Sequence, residues 1–283
     1  MEVGLFFTAG EGAADIAEVA RAAEAFGFGS LWVGEHVLMP VDYARVYPAS
    51  ATGEAPEYAG QLSSPLIALA RAAAVTSTLQ LGTGVCLLPL HEPIAFAKDI
   101  ATLDRDAGGR FLFGVGGGWL REETEILGGD FDRRWGQIAD QIAAMKKLWS
   151  GEVAEHAGPY TRFPPVRMRP KPAARPHPPI LLGGDSPRIF DRIAAWGDGW
   201  IPAVPSVDAF RAGRAGLHEA ARARHRDPAT LKTVAFGLPD CLRTASDMDG
   251  LRRLDADHAT VWLEARDERV FDEIEGLARR LLA

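Results

Sequence analysis

The sequence predicts an α/β protein, a (β/α)8 TIM barrel spanning residues 1–283 as a single domain. Three observations predict it. Eight short runs rich in β-branched and aromatic residues recur along the chain, bounded by glycine, each too short for a buried helix. Segments of helical period lie between them, the alternation that covers a parallel sheet with helices. The chain is slightly longer than the roughly 250 residues typical of such a barrel.

The first run is Val3–Phe7, followed by Ile16, Val19, Ala20 and Ala23 at the i, i+3, i+4, i+7 spacing of an amphipathic helix. Ser30–Glu35 is the second run and Leu79–Leu88 the third, with the helical stripe Phe96, Ile100, Leu103, Ala107 after it. Arg110–Gly116 precedes the stripe Ile138, Ile142, Met145, Trp149. The remaining runs are Pro179–Gly183, Gly199–Ala203, Thr233–Leu238 and Ala259–Glu264, the last followed by Ile274, Leu277 and Leu281. Helices starting at Pro187 and Ser246 have weaker patterns. Excess chain sits in insertions, Val37–Ser64 after strand two and Leu120–Arg134 with Gly151–Pro178 around helix four. The proline-rich segment before Pro179 reads as a stiff surface excursion.

The composition excludes several function classes. Lys and Arg number 31 against 38 Asp and Glu, a net charge of −7 with no basic run, which disfavours nucleic-acid and anionic-membrane binding. The two cysteines, Cys86 and Cys241, provide neither a CxxC pair nor a cysteine-rich zinc site. No stretch approaches the roughly 18 apolar residues of a membrane span, and the N-terminus has no basic leader, so the chain reads as cytoplasmic.

Familiar fingerprints fail. Trp119 stands where GxGxxG after Gly114 needs glycine, and Leu87 where it is needed after Gly82. There is no GxxxxGK[ST] and no GxSxG, and Pro93 breaks the helix that HExxH would require at His91–Glu92. No HxH pair is present, so no metal is expected.

Four strand-end clusters can carry chemistry. Glu35–His36 ends strand two, where His36 is either a surface loop histidine or a proton donor and acceptor, with Glu35 tuning or orienting it. Gly84 in Thr83–Gly84–Val85 either relieves crowding or admits a ligand against the backbone. Gly116–Gly117–Gly118 is a plain turn or a platform for a flat group, with Trp119 as an apolar wall and Arg121 free to meet a ligand acid or Glu125. Gly183–Gly184–Asp185–Ser186–Pro187 reads as a helix N-terminus, Ser186 the N-cap and Pro187 the first helical residue, a place that attracts phosphate. Phe7, Trp32, Trp200 and Trp262 read individually as core.

Taken in order, these residues resemble the luciferase-like flavin and deazaflavin oxidoreductases over nearly the whole chain. The resemblance rests on Gly34–Glu35–His36, Leu81–Gly82–Thr83–Gly84–Val85 through Pro89, and Asp104 through Gly109–Arg110–Phe111. It continues in Gly114–Val115–Gly116–Gly117–Gly118–Trp119, Pro176–His177–Pro178–Pro179–Ile180 into Gly183–Gly184, and Gly197–Asp198–Gly199–Trp200. The run Gly118–Trp119–Leu120–Arg121–Glu122–Glu123 is most similar to the coenzyme F-420-dependent branch, with FMN-dependent monooxygenases as the alternative and a non-catalytic flavin-binding barrel as a third reading. That resemblance implies a non-prolyl cis peptide at Gly84–Val85 behind a tricyclic ring. Thr83, Gly84, Val85, Gly116, Gly117, Gly118 and Trp119 would lie near the ring or its ribityl chain. Gly183, Gly184 and Ser186 would hold the phosphate. His36, and Glu35 beside it, would serve hydride transfer to a small organic substrate such as an activated C=C, C=N or carbonyl. Glu35 stands where the deazaflavin branch usually has Asp, and Gly117 where its sugar-phosphate dehydrogenases carry Glu. Val37–Ser64, with Met39, Tyr43, Tyr47 and Tyr58, is expected to act as a lid, and left-over apolar helix faces allow a homodimer.

Overall fold

The computed structural model describes residues 1–47, 50 and 52–282. In chain order its elements are β1 (Glu2–Phe6), α1 (Ile16–Ala25), β2 (Ser30–Val33), α2 (Pro65–Ala73), β3 (Gln80–Thr83), β4 (Cys86–Leu87) and α3 (Pro93–Asp106). Then come β5 (Phe111–Gly116), α4 (Arg121–Ile126), α5 (Arg134–Ser150), β6 (Ala154–Ala157), β7 (Arg162–Val166), β8 (Ile180–Gly183) and α6 (Pro187–Trp196). The chain ends with β9 (Gly199–Ile201), β10 (Ala203–Val204), α7 (Val207–Ala223), β11 (Lys232–Gly237), α8 (Ala245–Arg252), β12 (His258–Trp262) and α9 (Val270–Leu281).

Ten strand segments form one parallel sheet that closes on itself. β1 pairs β12 from Glu2↔His258 to Phe6↔Trp262 and β2 from Gly4↔Ser30 to Phe6↔Trp32. Far around the ring, β9 joins β8 through Leu181↔Gly199 and β11 through Lys232↔Gly199. β3 with β4, and β9 with β10, each make one stave, so the predicted (β/α)8 barrel is the observed fold. Neighbouring residues in a strand face opposite ways, and both faces are apolar. Phe6, Trp32, Leu112, Leu181, Ile201, Val234 and Phe236 fill the interior, while Leu5, Leu31, Phe113 and Leu182 pack under the helices. That double burial is why the strands read as near-continuous hydrophobic runs. The four helical stripes of the sequence are all buried.

Three features differ from the expectation. The third run is not one strand, because it breaks at Gly84–Val85, whose peptide is cis. The sixth breaks at Pro202, which has no N–H to give the ladder. The Gly151–Pro178 excursion contains an antiparallel hairpin, β6–β7, with Ala154 opposite Val166. Pro164 and Pro165 fit β7 because a two-stranded ribbon leaves donors unpaired on its edge. Asp140 of α5 anchors the hairpin, accepting from the N–H of Thr161 at 2.7 Å and Tyr160 at 3.1 Å and meeting His156 Nε2 at 2.9 Å. Cys86 and Cys241 are both free thiols. Among the described residues no helix is long and apolar enough to cross a membrane.

Candidate active site

A cleft of about 710 Å³ opens at the C-terminal ends of the barrel strands, the face on which such barrels build their sites. Phe6, Phe236 and Trp262 form an apolar floor, so Trp262 is a cleft residue while Phe7, Trp32 and Trp200 are core. Gly84 and Val85 make a ridge along the cleft, with Gly116, Gly117, Gly118 and Trp119 beside it and Gly183, Gly184 and Ser186 further around. Thr83 is not among the lining residues. It is fully buried, and its hydroxyl donates to the Gly114 carbonyl at 2.7 Å, so its work is to tie β3 to β5.

The glycines explain the ridge. A Cβ on Gly116 would come within 2.5 Å of Val85 Cγ2, and one on Gly183 within 3.2 Å of Val85 Cγ1. The Val85 side chain therefore occupies the space that side chains on β5 and β8 would take.

The residues around His36 are not the pair the sequence suggested. His36 Nδ1 lies 2.8 Å from Oε2 of Glu123, on α4, and Trp119 Nε1–H donates to His36 Nε2 at 3.1 Å. Glu35 faces away. Its carboxylate accepts the Leu87 N–H at 2.6 Å and lies 2.9 Å from His91 Nε2, so it does not orient or tune His36. The Cys86 thiol lies near the same carboxylate, and burial, with Glu35 beside it, pushes the thiol up from its ordinary pKa. Leu87 and His91 thus engage both oxygens of the Glu35 carboxylate, and a structural role follows: it holds the β4 segment that comes straight after the ridge. Arg121 is likewise committed, to Asp132 at 2.6 Å and Glu125 at 3.0 Å.

The insertion after β2 packs over this corner. Glu122 accepts the Ala44 N–H at 2.8 Å, and Tyr43 and Tyr47 meet Trp119 edge-on with ring centroids 6.2 and 5.2 Å away. Tyr47 lines the cleft, as a lid residue would. Pro48, Ala49 and Ala51 of this insertion lie outside the described residues.

The turn before α6 has the predicted form, with an added detail. Ser186 occupies the N-cap position in extended backbone, and Pro187 starts the helix, but the Ser186 hydroxyl makes no capping bond. Gly184 has φ +112, a conformation that L side chains rarely adopt. Among the described residues the N–H groups of Asp185, Ser186 and Arg188 find no protein partner. A second pocket of about 360 Å³ adjoins the cleft through Ser186, Arg134, Trp135 and Arg192, and adds Arg133 and Arg188. Arg134, Arg188 and Arg192 form no salt bridge among the described residues. Arg134 Nε is buried without a partner. Burial, then the neighbouring Arg188 and Arg134, depresses the Arg192 guanidinium below its ordinary pKa. Two exposed carboxylates reach the same rim, Asp185 from the cleft and Asp132, which is paired with Arg121, from the second pocket. The sequence reading missed this cluster, although Arg188 and Arg192 stand four apart on the helix that follows the glycine pair. It also missed Glu123, which nothing local in the sequence connects to His36.

A barrel with a cis peptide ridge, an apolar floor and a cationic cradle fits one family by sequence. The luciferase-like monooxygenase family matches residues 1–269. The chain belongs to it. An uncharacterised Mycobacterium tuberculosis protein is 36% identical over 211 residues, 74% of each chain. An F420-dependent hydroxymycolic acid dehydrogenase of the same organism is 29% identical over 221 residues, 75% of this chain and 55% of that one. In fold, the chain is similar to monooxygenase RslO1 from Streptomyces bottropensis, with TM-score 0.76, 21% identity and coverage of 99% and 97% of the two chains. This luciferase-like protein is thus an enzyme by descent.

Proposed function

We propose that this luciferase-like protein is a coenzyme F-420-dependent oxidoreductase, in which hydride passes between the deazaflavin and a small organic substrate held in the cleft. One observation carries the choice of cofactor. The N–H groups before α6 supply a phosphate cradle, and Arg134, Arg188 and Arg192, none in a salt bridge among the described residues, extend positive charge beyond it into an adjoining pocket. FMN ends at its phosphate, whereas F-420 continues as a phosphodiester with an acidic tail. Guanidinium groups bind such oxygens through paired N–H donors, and a buried Nε without a partner is a donor awaiting one.

When bound, the deazaflavin supplies a carbon centre that accepts or gives a hydride. The protein supplies position. The Gly84–Val85 ridge and the Phe6, Phe236 and Trp262 floor offer flat apolar contact to a ring, and Gly116–Gly118 let it approach backbone. Ser186, with an uncommitted hydroxyl, and Gly184 hold the first phosphate. His36 would exchange at Nε2 the proton that accompanies the hydride, with its Nδ1 backed by the Glu123 carboxylate. The 29% identical relative is named a dehydrogenase using F420, which supports the same cofactor.

The test is a titration of the purified protein with F-420 and, separately, with FMN. Intrinsic fluorescence reports binding, because Trp119, Trp135 and Trp262 line the cleft. The expected result is tighter binding of F-420, weakened by salt. Tighter binding of FMN, with O₂ consumed in step with product, would overturn the proposal in favour of a monooxygenase.

A further inference from the structure

Trp119 stands between His36 and the cleft. Trp119 and Tyr47 line that cavity and His36 does not; the His36 side chain is only 9% exposed. The indole N–H occupies Nε2 of the imidazole, and the two rings meet edge-on with centroids 5.5 Å apart. No group in the cleft can reach Nε2 while that bond stands.

The protonation of His36 follows from its two partners. Trp119 Nε1 is a donor only, so Nε2 must be bare. The ring proton is therefore on Nδ1, pointing at Glu123 Oε2. Glu123 is suited to receive it. Its carboxylate is 1% exposed, and Oε1 already accepts the N–H groups of Val37 at 2.7 Å and Leu38 at 3.2 Å, which leaves Oε2 to face the Nδ1 proton. The alternative, a protonated Glu123 donating to Nδ1, would put a proton on Nε2 and set it against the indole N–H. The two bonds select one tautomer.

We infer that Trp119 is a displaceable cap on the Nε2 of His36, and that Glu123 is the positioning residue that keeps Nε2 a hydrogen-bond acceptor. A group that takes the place of the indole must then bring its own donor, so the site favours a substrate carrying a hydroxyl or N–H at the reacting carbon over one presenting a bare acceptor. This deepens the proposed function and rests on it for the identity of the reaction, but not for the state of the imidazole.

Two measurements on the cofactor-free protein test it. In protein labelled with ¹⁵N-histidine, with the His36 signals assigned by their loss in His36→Asn, the pyridine-like nitrogen is expected to be Nε2. In Trp119→Phe the pyridine-like nitrogen is expected to stay Nε2, kept so by Glu123; when Glu123→Gln is added, the amide oxygen stays on the Val37 and Leu38 N–H groups and the NH₂ faces Nδ1, so the pyridine-like nitrogen moves to Nδ1. Acylation of His36 by diethyl pyrocarbonate, read by peptide mass mapping, is expected to be about fivefold faster in Trp119→Phe, the factor that loss of one neutral hydrogen bond represents. A wild-type Nε2 that carries the proton overturns the positioning role of Glu123. An unchanged acylation rate in Trp119→Phe overturns the cap. Both readouts stand whether the protein binds F-420 or FMN, so failure of the cofactor proposal is seen separately.

Discussion

Glu123 Oε2 lies 2.8 Å from His36 Nδ1, although 87 residues separate the two in the chain, while Glu35, the neighbour of His36 in sequence, holds His91 and the Leu87 N–H. Consecutive residues at a strand end point to opposite sides, so adjacency in sequence placed the two side chains apart. Glu35→Ala is therefore expected to act on stability and not on the state of His36. It leaves a buried N–H and an imidazole without their acceptor, at roughly 1–3 kcal/mol for each group. Denaturant melts should show a loss of a few kcal/mol, and the ¹⁵N pattern of His36 should stay as in the wild type. A changed His36 pattern would return Glu35 to the site.

The ridge gives a paired prediction. Ala at position 116 would bring its Cβ within 2.5 Å of Val85 Cγ2, so Gly116→Ala is expected to cost about 1–3 kcal/mol and to weaken cofactor binding by displacing Val85. Val85→Ala removes the obstructing methyls. The double variant should then be more stable than the sum of the single changes predicts, by a coupling of about 0.5–3 kcal/mol. Additive losses would mean that Val85 is not what keeps position 116 a glycine.

Arg188 and Arg192 are expected to act chiefly on binding, since among the described residues no acid pairs with them and their one intramolecular partner is the Trp135 ring, 4.7 Å from the Arg192 guanidinium. Replacing either by Ser should weaken F-420 about tenfold or more, from the loss of a charge-assisted hydrogen bond worth roughly 1.5–3 kcal/mol. The salt dependence of binding should flatten in the same variants. FMN affinity should change far less. Equal losses for both cofactors would locate the guanidinium groups on the shared phosphate instead of a longer anionic chain.

The barrel was readable because its signal is periodic and repeated eight times, and each apolar strand and helix stripe needs only its own residues to be recognised. The site was readable where glycine or proline marks the backbone, at Gly84, at Gly116–Gly118 and at Gly183–Pro187. It was not readable where a partner comes from another element. Glu123 reaches His36 from α4, and Thr83 spends its hydroxyl on Gly114 of the next strand. The β6–β7 hairpin escaped notice because Pro164 and Pro165 argue against a strand unless it is an edge. α7 escaped because its buried residues, Phe210, Leu217 and Ala221, are too sparse to form a stripe.

His258 supplies a prediction about acid stability. It sits on β12 at the opposite end of the barrel from the cleft, 3% exposed, with Nδ1 buried and without a partner. Burial lowers its pKa from 6.5 to about 4; Lys232 and the N-terminal ammonium add to this, and Asp257 opposes them. The fold therefore favours the neutral ring. Above pH 6.5 the imidazole is neutral in both folded and unfolded chains and makes no difference. As pH falls from 6.5 towards 4, the unfolded chain takes up the proton and the folded one does not, so stability is lost through this window. At 1.36 kcal/mol per unit, the loss is about 3 kcal/mol. His258→Gln cannot titrate, and its unfolding free energy should fall by that much less between pH 7 and pH 4 than the wild type's. Carboxylates such as Glu24, held down to about 2 by hydrogen bonds from Ser77, Thr78 and Leu79 against the cost of its burial, titrate equally in both proteins and cancel in the comparison. Parallel losses in the two proteins would mean that the buried imidazole is hydrated in solution, and that water fills the place beside Nδ1.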